Sequence, residues 1–137
     1  MRRQFACLLC LVTVFMALLC PLRAKGATAL NPAAEASLTL EYQKEGEAFS
    51  DVPVRIYRVA EAFADGTFAL MEPYASWPVH IHDITAQEQW KVVADTLSAY
   101  IVAEQILPYR EGRTNEMGIV QFTPLQTGLY LVEEAVV

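Results

Sequence analysis

The chain has 137 residues, 54% of them hydrophobic, and carries 10 Lys and Arg against 16 Asp and Glu, a formal net charge of −6 at pH 7. This acid excess makes nucleic acid and anionic membrane poor partners, and the length suits one domain with a real core rather than two. The three cysteines, Cys7, Cys10 and Cys20, all lie in one N-terminal apolar run, so disulfides play no part in the remainder of the fold.

That run extends from Phe5 to Cys20 behind Arg2 and Arg3. It is short of the ~20 apolar residues that a bilayer span needs, and it reads as the core of a secretory signal peptide over residues 1–29. Ala27-Thr28-Ala29 has the small-residue pattern that places cleavage before Leu30; a cut nearer Ala24 and an uncleaved signal anchor are the competing readings. A lipoprotein is disfavoured because Leu19, ahead of Cys20, is bulky where a small residue is wanted. Removal of residues 1–29 takes away Arg2, Arg3, Arg23 and Lys25 and no acid, leaving a net charge of −10. The expected location is secreted or at the cell surface, with no membrane contact after the leader is removed.

Residues 30–36 carry no strong pattern and are expected to be a flexible lead-in. The domain is expected over 37–137. From Ala36, Leu38, Leu40 and Tyr42 alternate with Thr39, Glu41 and Gln43, a first strand. A polar turn with Gly46 precedes VPVRIYRVA, apolar on parts of both faces as an inner strand would be. Asp65-Gly66 between two apolar runs signals a hairpin into a third strand, Thr67 to Met71. Pro73 and Pro78 bracket an extended connection in which Val79 and Ile81 alternate with His80 and His82.

One helix interrupts this β pattern. Thr85 with Glu88 has the form of a capping box, and Trp90, Val93, Ala94, Leu97, Tyr100 and Ile101 recur at helical spacing, giving a helix over about 85–104, ahead of Pro108. A polar connector, YREGRTNE, follows. A turn at Asn115-Glu116-Met117-Gly118 then feeds an alternating run through Val120 and Phe122, and a second turn centred on Gly128 leads to another through Tyr130 and Val132. Short strands, turns and one helix suggest a mostly β domain, a small antiparallel β-sandwich with the helix inserted.

Gly118, Phe122, Leu125, Gly128, Tyr130 and Glu134 fall where the SpaA-like prealbumin-fold and Cna B-type modules of Gram-positive surface proteins carry their closing signature. PVRIYRVAEAFADGTFAL resembles the second strand and following hairpin of such modules, and WPVHIHDITAQEQWKVVADTLSAY the helical insertion of some of them. The resemblance covers about Ser37 to Glu134 and implies a prealbumin or Ig-like sandwich, whose last strand would then lie beyond Val137. Either a longer gene or an unpaired sheet edge follows, and such an edge invites a partner strand.

Many members of that family crosslink a Lys of the first strand to an Asn or Asp of the last, promoted by a Glu. Desolvation leaves the amine neutral and the acid protonated, so enforced contact suffices. Glu134 matches the Glu position. Tyr42 stands where the Lys belongs, with Lys44 nearby, so the resemblance implies no crosslink here.

Other residues offer weaker chemistry. Tyr74, Trp77 and Trp90 are the candidate ligand-binding residues, as an aromatic platform for a sugar, although core and rim packing is the default reading of such side chains. His80 and His82 would share a strand face beside Asp83, but a closed zinc site takes four ligands, and neither a metal nor a cofactor is expected. Glu133 and Glu134 point to opposite sides of a strand and cannot act as a pair. No nucleophile elbow, phosphate loop or dinucleotide fingerprint occurs, so an enzyme is not expected. The expected function is a structural module of a pilin-like or adhesin protein, with other surface subunits, a host protein or a glycan as partners. The alternative is a soluble extracellular module binding a glycan or host protein through the helix and the Trp77 region.

Overall fold

In the computed structural model, residues 7–9 and 30–134 are described. The expected signal peptide therefore lies outside the described residues, apart from Cys7–Leu9. The described residues are mostly β, with one α-helix and several antiparallel sheets. Its elements are β1 (Cys7–Leu9), β2 (Glu35–Glu41), β3 (Gln43–Lys44), β4 (Glu47–Ala48), β5 (Pro53–Ala62), β6 (Phe68–Leu70), α1 (Gln87–Glu104), β7 (Arg110–Arg113), β8 (Ile119–Gln126) and β9 (Gly128–Glu134).

The main sheet runs β1-β9-β5-β6, with β7 also paired to β5, and β2 pairs separately with β8. Strands buried on both faces need apolar residues at nearly every position. β9 meets this, since Gly128 to Val132 are all buried. β5 meets it through Val54 and Ile56 on one face and Tyr57 and Val59 on the other.

Two apolar clusters lie on opposite sides of the main sheet. On one side Tyr57, Val59, Leu129 and Leu131 meet Val93, Ala94, Leu97 and Ile101 of α1, together with Tyr74, Trp77 and Val79. On the other, Val54, Ile56, Tyr130 and Val132 meet Ala36 and Leu38 of β2 and Val120, Phe122 and Leu125 of β8. Alternate residues of β9 thus supply both clusters, as the two-residue period of a strand requires.

Several expectations are adjusted by local geometry. The connection after β6 is not extended throughout: Tyr74–Ser76 form a single 3-10 turn, and His80 and His82 are exposed in a segment without strand pairing. α1 begins at Gln87 with Ala86 as its N-cap, so the reciprocal cap is not made by Thr85 and Glu88. Gln89 makes it, its Oε1 accepting the backbone N–H groups of Thr85 at 2.8 Å and Ala86 at 2.9 Å. At the other end Gln105 enters the left-handed region at φ 55°, and Ile106 N–H donates to Ile101 O at 3.0 Å, closing the helix ahead of Pro108. The polar connector contains a strand, β7, which pairs Pro53–Ile56 of β5 with Arg110–Arg113. The lead-in is tied down where Leu30 N–H donates to Ala64 O at 3.0 Å and Thr127 Oγ1 to Pro32 O at 2.9 Å, and β2 starts at Glu35.

Candidate functional site: the closing strand and its surroundings

The residues of the closing segment owe their positions to one corner between β8 and β9. Thr127 occupies the corner, is fully buried, and spends its hydroxyl on Pro32 O. Arg58 reaches it from β5, donating to Thr127 O through Nε at 3.1 Å and Nη2 at 2.7 Å. β5 carries an irregularity between Arg58 and Ala60, and there it approaches β9 closely. A Cβ on Gly128 would lie 2.5 Å from Ala60 O and 2.9 Å from Arg58 Nε, so no other residue fits unstrained.

Tyr130 turns back across the same corner. Its ring is fully buried against Tyr109, with centroids 5.8 Å apart, and its hydroxyl donates to Gln126 O at 2.5 Å. Burial pushes its phenol pKa well above the ordinary range, with the neighbouring Tyr109 adding to the effect. At the start of β8, Gly118 has φ +77° and a Cβ there would lie 2.5 Å from Tyr42 O. Asn115 builds this turn, its Oδ1 accepting the N–H groups of Met117 at 2.8 Å and Ile119 at 3.0 Å. Phe122 and Leu125 are buried in the cluster between the β2–β8 pair and the main sheet.

Glu134 ends β9 opposite Val54 and is half-buried. Tyr42 is half-buried beside the same cluster, where its N–H donates to Gly118 O at 2.8 Å. Lys44 is carried out of the sheet into the exposed β3–β4 hairpin, where it faces Glu47. The structure thus places Lys44 in a hairpin and Glu134 at the end of a sheet strand, with no ion pair between the two among the described residues.

Glu133 faces the helix side. Its cross-strand neighbour is Arg55, which also faces Glu111 on β7, so Arg55 stands in register between two carboxylate-bearing positions. Ser98 Oγ of α1 donates to Glu133 Oε2, tying the helix to β9. The adjacent Tyr57 has its pKa raised by burial and then by the Glu133 charge, against a lowering from Arg55. Neither the corner polar network nor this helix tie was legible in the sequence, since each joins residues more than 30 positions apart.

The aromatic candidates are divided between core and rim. Trp77 is only 7% exposed, with Tyr74 edge-on at 5.2 Å and Tyr100 stacked on its face at 5.1 Å. Burial raises the Tyr74 pKa to about 12. Faces used in this way are not presented to a sugar, which leaves Trp90, half-buried on α1, as the candidate with solvent contact. Among the described residues no group of three or more His, Cys, Asp or Glu is gathered as a metal site. No described helix is long and apolar enough to cross a membrane.

The outer edge of β9 is paired as well. Cys7–Leu9 lie antiparallel to it, with Cys7 opposite Glu133, Leu8 opposite Val132 and Leu9 opposite Leu131, and β1 runs beside α1. Comparison with family models, curated proteins and solved structures returned no match.

Proposed function

We propose that this chain is a secreted or cell-surface structural module of the SpaA-like prealbumin, Cna B-type kind, a building block of a pilin-like or adhesin protein of a Gram-positive bacterium, without catalysis on other molecules. The observation that carries this reading is the use of the signature residues. Gly118 and Gly128 stand where a side chain would strike backbone oxygen, Phe122 and Leu125 fill the cluster between β2–β8 and the main sheet, and Tyr130 is buried over the corner. A motif whose glycines set the backbone path and whose apolar members fill the core marks a module by its fold rather than by a reaction.

The β-sandwich reading is supported by the apolar cluster shared between β2–β8 and the main sheet. It is supported further by the Tyr130 hydroxyl bonded back to Gln126 O, an arrangement like the tyrosine corner of sandwich domains. α1 then covers the opposite face of the main sheet as an insertion. An internal crosslink is not part of the proposal, because Lys44 lies in an exposed hairpin and Tyr42 holds the inward position.

The test is the intact mass of the protein recovered from native cells, envelope and cytoplasm separately. The expected product lies in the envelope or medium and begins at Leu30, either ending at Val137 or continuing as the opening module of a longer surface protein. A cytoplasmic product that retains residues 1–29 would refute the proposal.

A further inference from the structure

β9 has two long edges, and both carry a paired strand. Its inner edge pairs with β5 from Gly128 opposite Glu61 to Glu134 opposite Val54. Among the described residues the outer edge is paired only at Leu131, Val132 and Glu133, by a strand of three residues. A strand edge from which its occupant is withdrawn is a template for pairing with another extended segment. The three-residue occupant comes from the apolar run that is expected to be removed with the leader.

Charge describes the occupant that fits. The antiparallel register sets the N-terminal end of β1 against the acidic end of β9, where Glu133 and Glu134 follow one another. In the sequence, Arg2 and Arg3 precede that strand, and the chain without its leader has a net charge of −10. A second copy of the processed chain would bring an equal excess of negative charge to the edge.

We infer that the outer edge of β9 is a strand-acceptor site. Cys7–Leu9 fill it in the leader-bearing chain. In the processed protein an extended apolar segment of another polypeptide, preceded by basic residues, takes the same place in the same antiparallel direction. The exchange rests on the proposed removal of residues 1–29, whereas the edge itself does not.

Two measurements separate these parts. In the full-length chain, hydrogen exchange at Leu131, Val132 and Glu133 is compared with that of a variant carrying Leu8→Pro and Leu9→Pro. Successive strand residues point their N–H groups to opposite edges, so two consecutive prolines must delete one bond to β9. Exchange is expected to quicken by about tenfold or more on β9, and equal rates in the two chains would overturn the pairing.

For the processed protein recovered from cells, the probe is a synthetic peptide spanning residues 2–12 with Cys7→Ser and Cys10→Ser. It is expected to bind and to slow exchange along β9. The same peptide with Leu8→Pro and Leu9→Pro should bind about tenfold more weakly or worse, and replacement of Arg2 and Arg3 by Gln should weaken binding at low salt. Equal binding of the proline and parent peptides would overturn the acceptor site. A processed protein that dimerises through β9 and excludes the peptide would assign the edge to a second copy instead and overturn the heterologous partner. If the leader is retained in cells, the exchange step falls, while the full-length comparison still decides the edge.

Discussion

Replacing Gly128 by Ala probes the closest approach in the fold. The added Cβ would lie 2.5 Å from Ala60 O, 2.9 Å from Arg58 Nε and 3.5 Å from Arg58 Cγ. Arg58 cannot simply swing away, because its guanidinium is bonded to Thr127 O and to Met71 Sδ. Relief to ordinary contact at 3.4 Å therefore requires β5 and β9 to separate by close to an ångström. Against a normal strand spacing of about 4.8 Å, that shift breaks or badly lengthens one or two ladder bonds at about 1 kcal/mol each. Overpacking adds about 1–3 kcal/mol, and the smaller freedom of Ala in the unfolded chain returns about 0.4–1 kcal/mol. The net expected loss is about 2–4 kcal/mol. Urea unfolding followed by circular dichroism reads it as a fall in midpoint of about 1–2 M at the slopes usual for a domain of this size. Gly66→Ala is the control, since nothing lies within 4 Å of a Cβ there and only its φ of +89° resists substitution, at about 1 kcal/mol. A Gly128→Ala loss no larger than that of Gly66→Ala would refute the close-approach reasoning.

Tyr130→Phe keeps the buried ring but removes the donor to Gln126 O, and should lower unfolding free energy by about 1–2 kcal/mol with no change in far-ultraviolet circular dichroism. Gln105→Gly replaces a left-handed residue at φ 55° by one that adopts it freely, and should raise the thermal midpoint by a few degrees, equivalent to about 0.5–1 kcal/mol. Tyr57, Tyr74 and Tyr130 have pKa values raised above the ordinary 10.0, Tyr74 to about 12, so the fold holds neutral phenols that the unfolded chain would ionise. Their contribution is complete below pH 10 and is lost as pH rises from 10 towards 12; ultraviolet difference absorbance should show part of the tyrosines ionising together with unfolding. Independent titration of all tyrosines near pH 10, without loss of structure, would contradict their burial.

Elements with a strong local signal were legible in the sequence. VPVRIYRVA became β5, and its apolar positions on both faces serve the two clusters on either side of the sheet. Asp65-Gly66 made the expected turn, with Asp65 Oδ1 accepting from both the N–H and the hydroxyl of Thr67. These bonds also hold the exposed Asp65 carboxyl below its usual pKa. The spacing of Val93, Ala94, Leu97 and Ile101 gave the buried stripe of α1. β7 was missed because REGR has no hydrophobic alternation; the strand pairs with β5, and what it offers the core is the bare Cα of Gly112, against Val120 and Phe122. The sequence leaves Trp77 open to core packing, the default, or to a sugar platform, because composition alone does not reveal that Tyr100, on a separate element, covers its face. The pairing of Cys7–Leu9 with β9 was hidden for another reason: an apolar run read for export carries no pattern that declares a strand partner more than 120 residues away.

The lead-in and the end of β9 occupy opposite ends of the main sheet. Pro32 is fastened at the Thr127 corner where β9 begins, and Glu134 lies at the far end of that strand. Tension drawn on Glu134 along β9 and resisted by β5 loads the ladder between these strands in shear, from Glu61↔Gly128 to Val54↔Glu134. Such a ladder must yield many bonds at once, whereas a hairpin pulled open from its end parts one bond at a time. Shear loading of this kind is what the proposed role, a link in a surface filament, would call for.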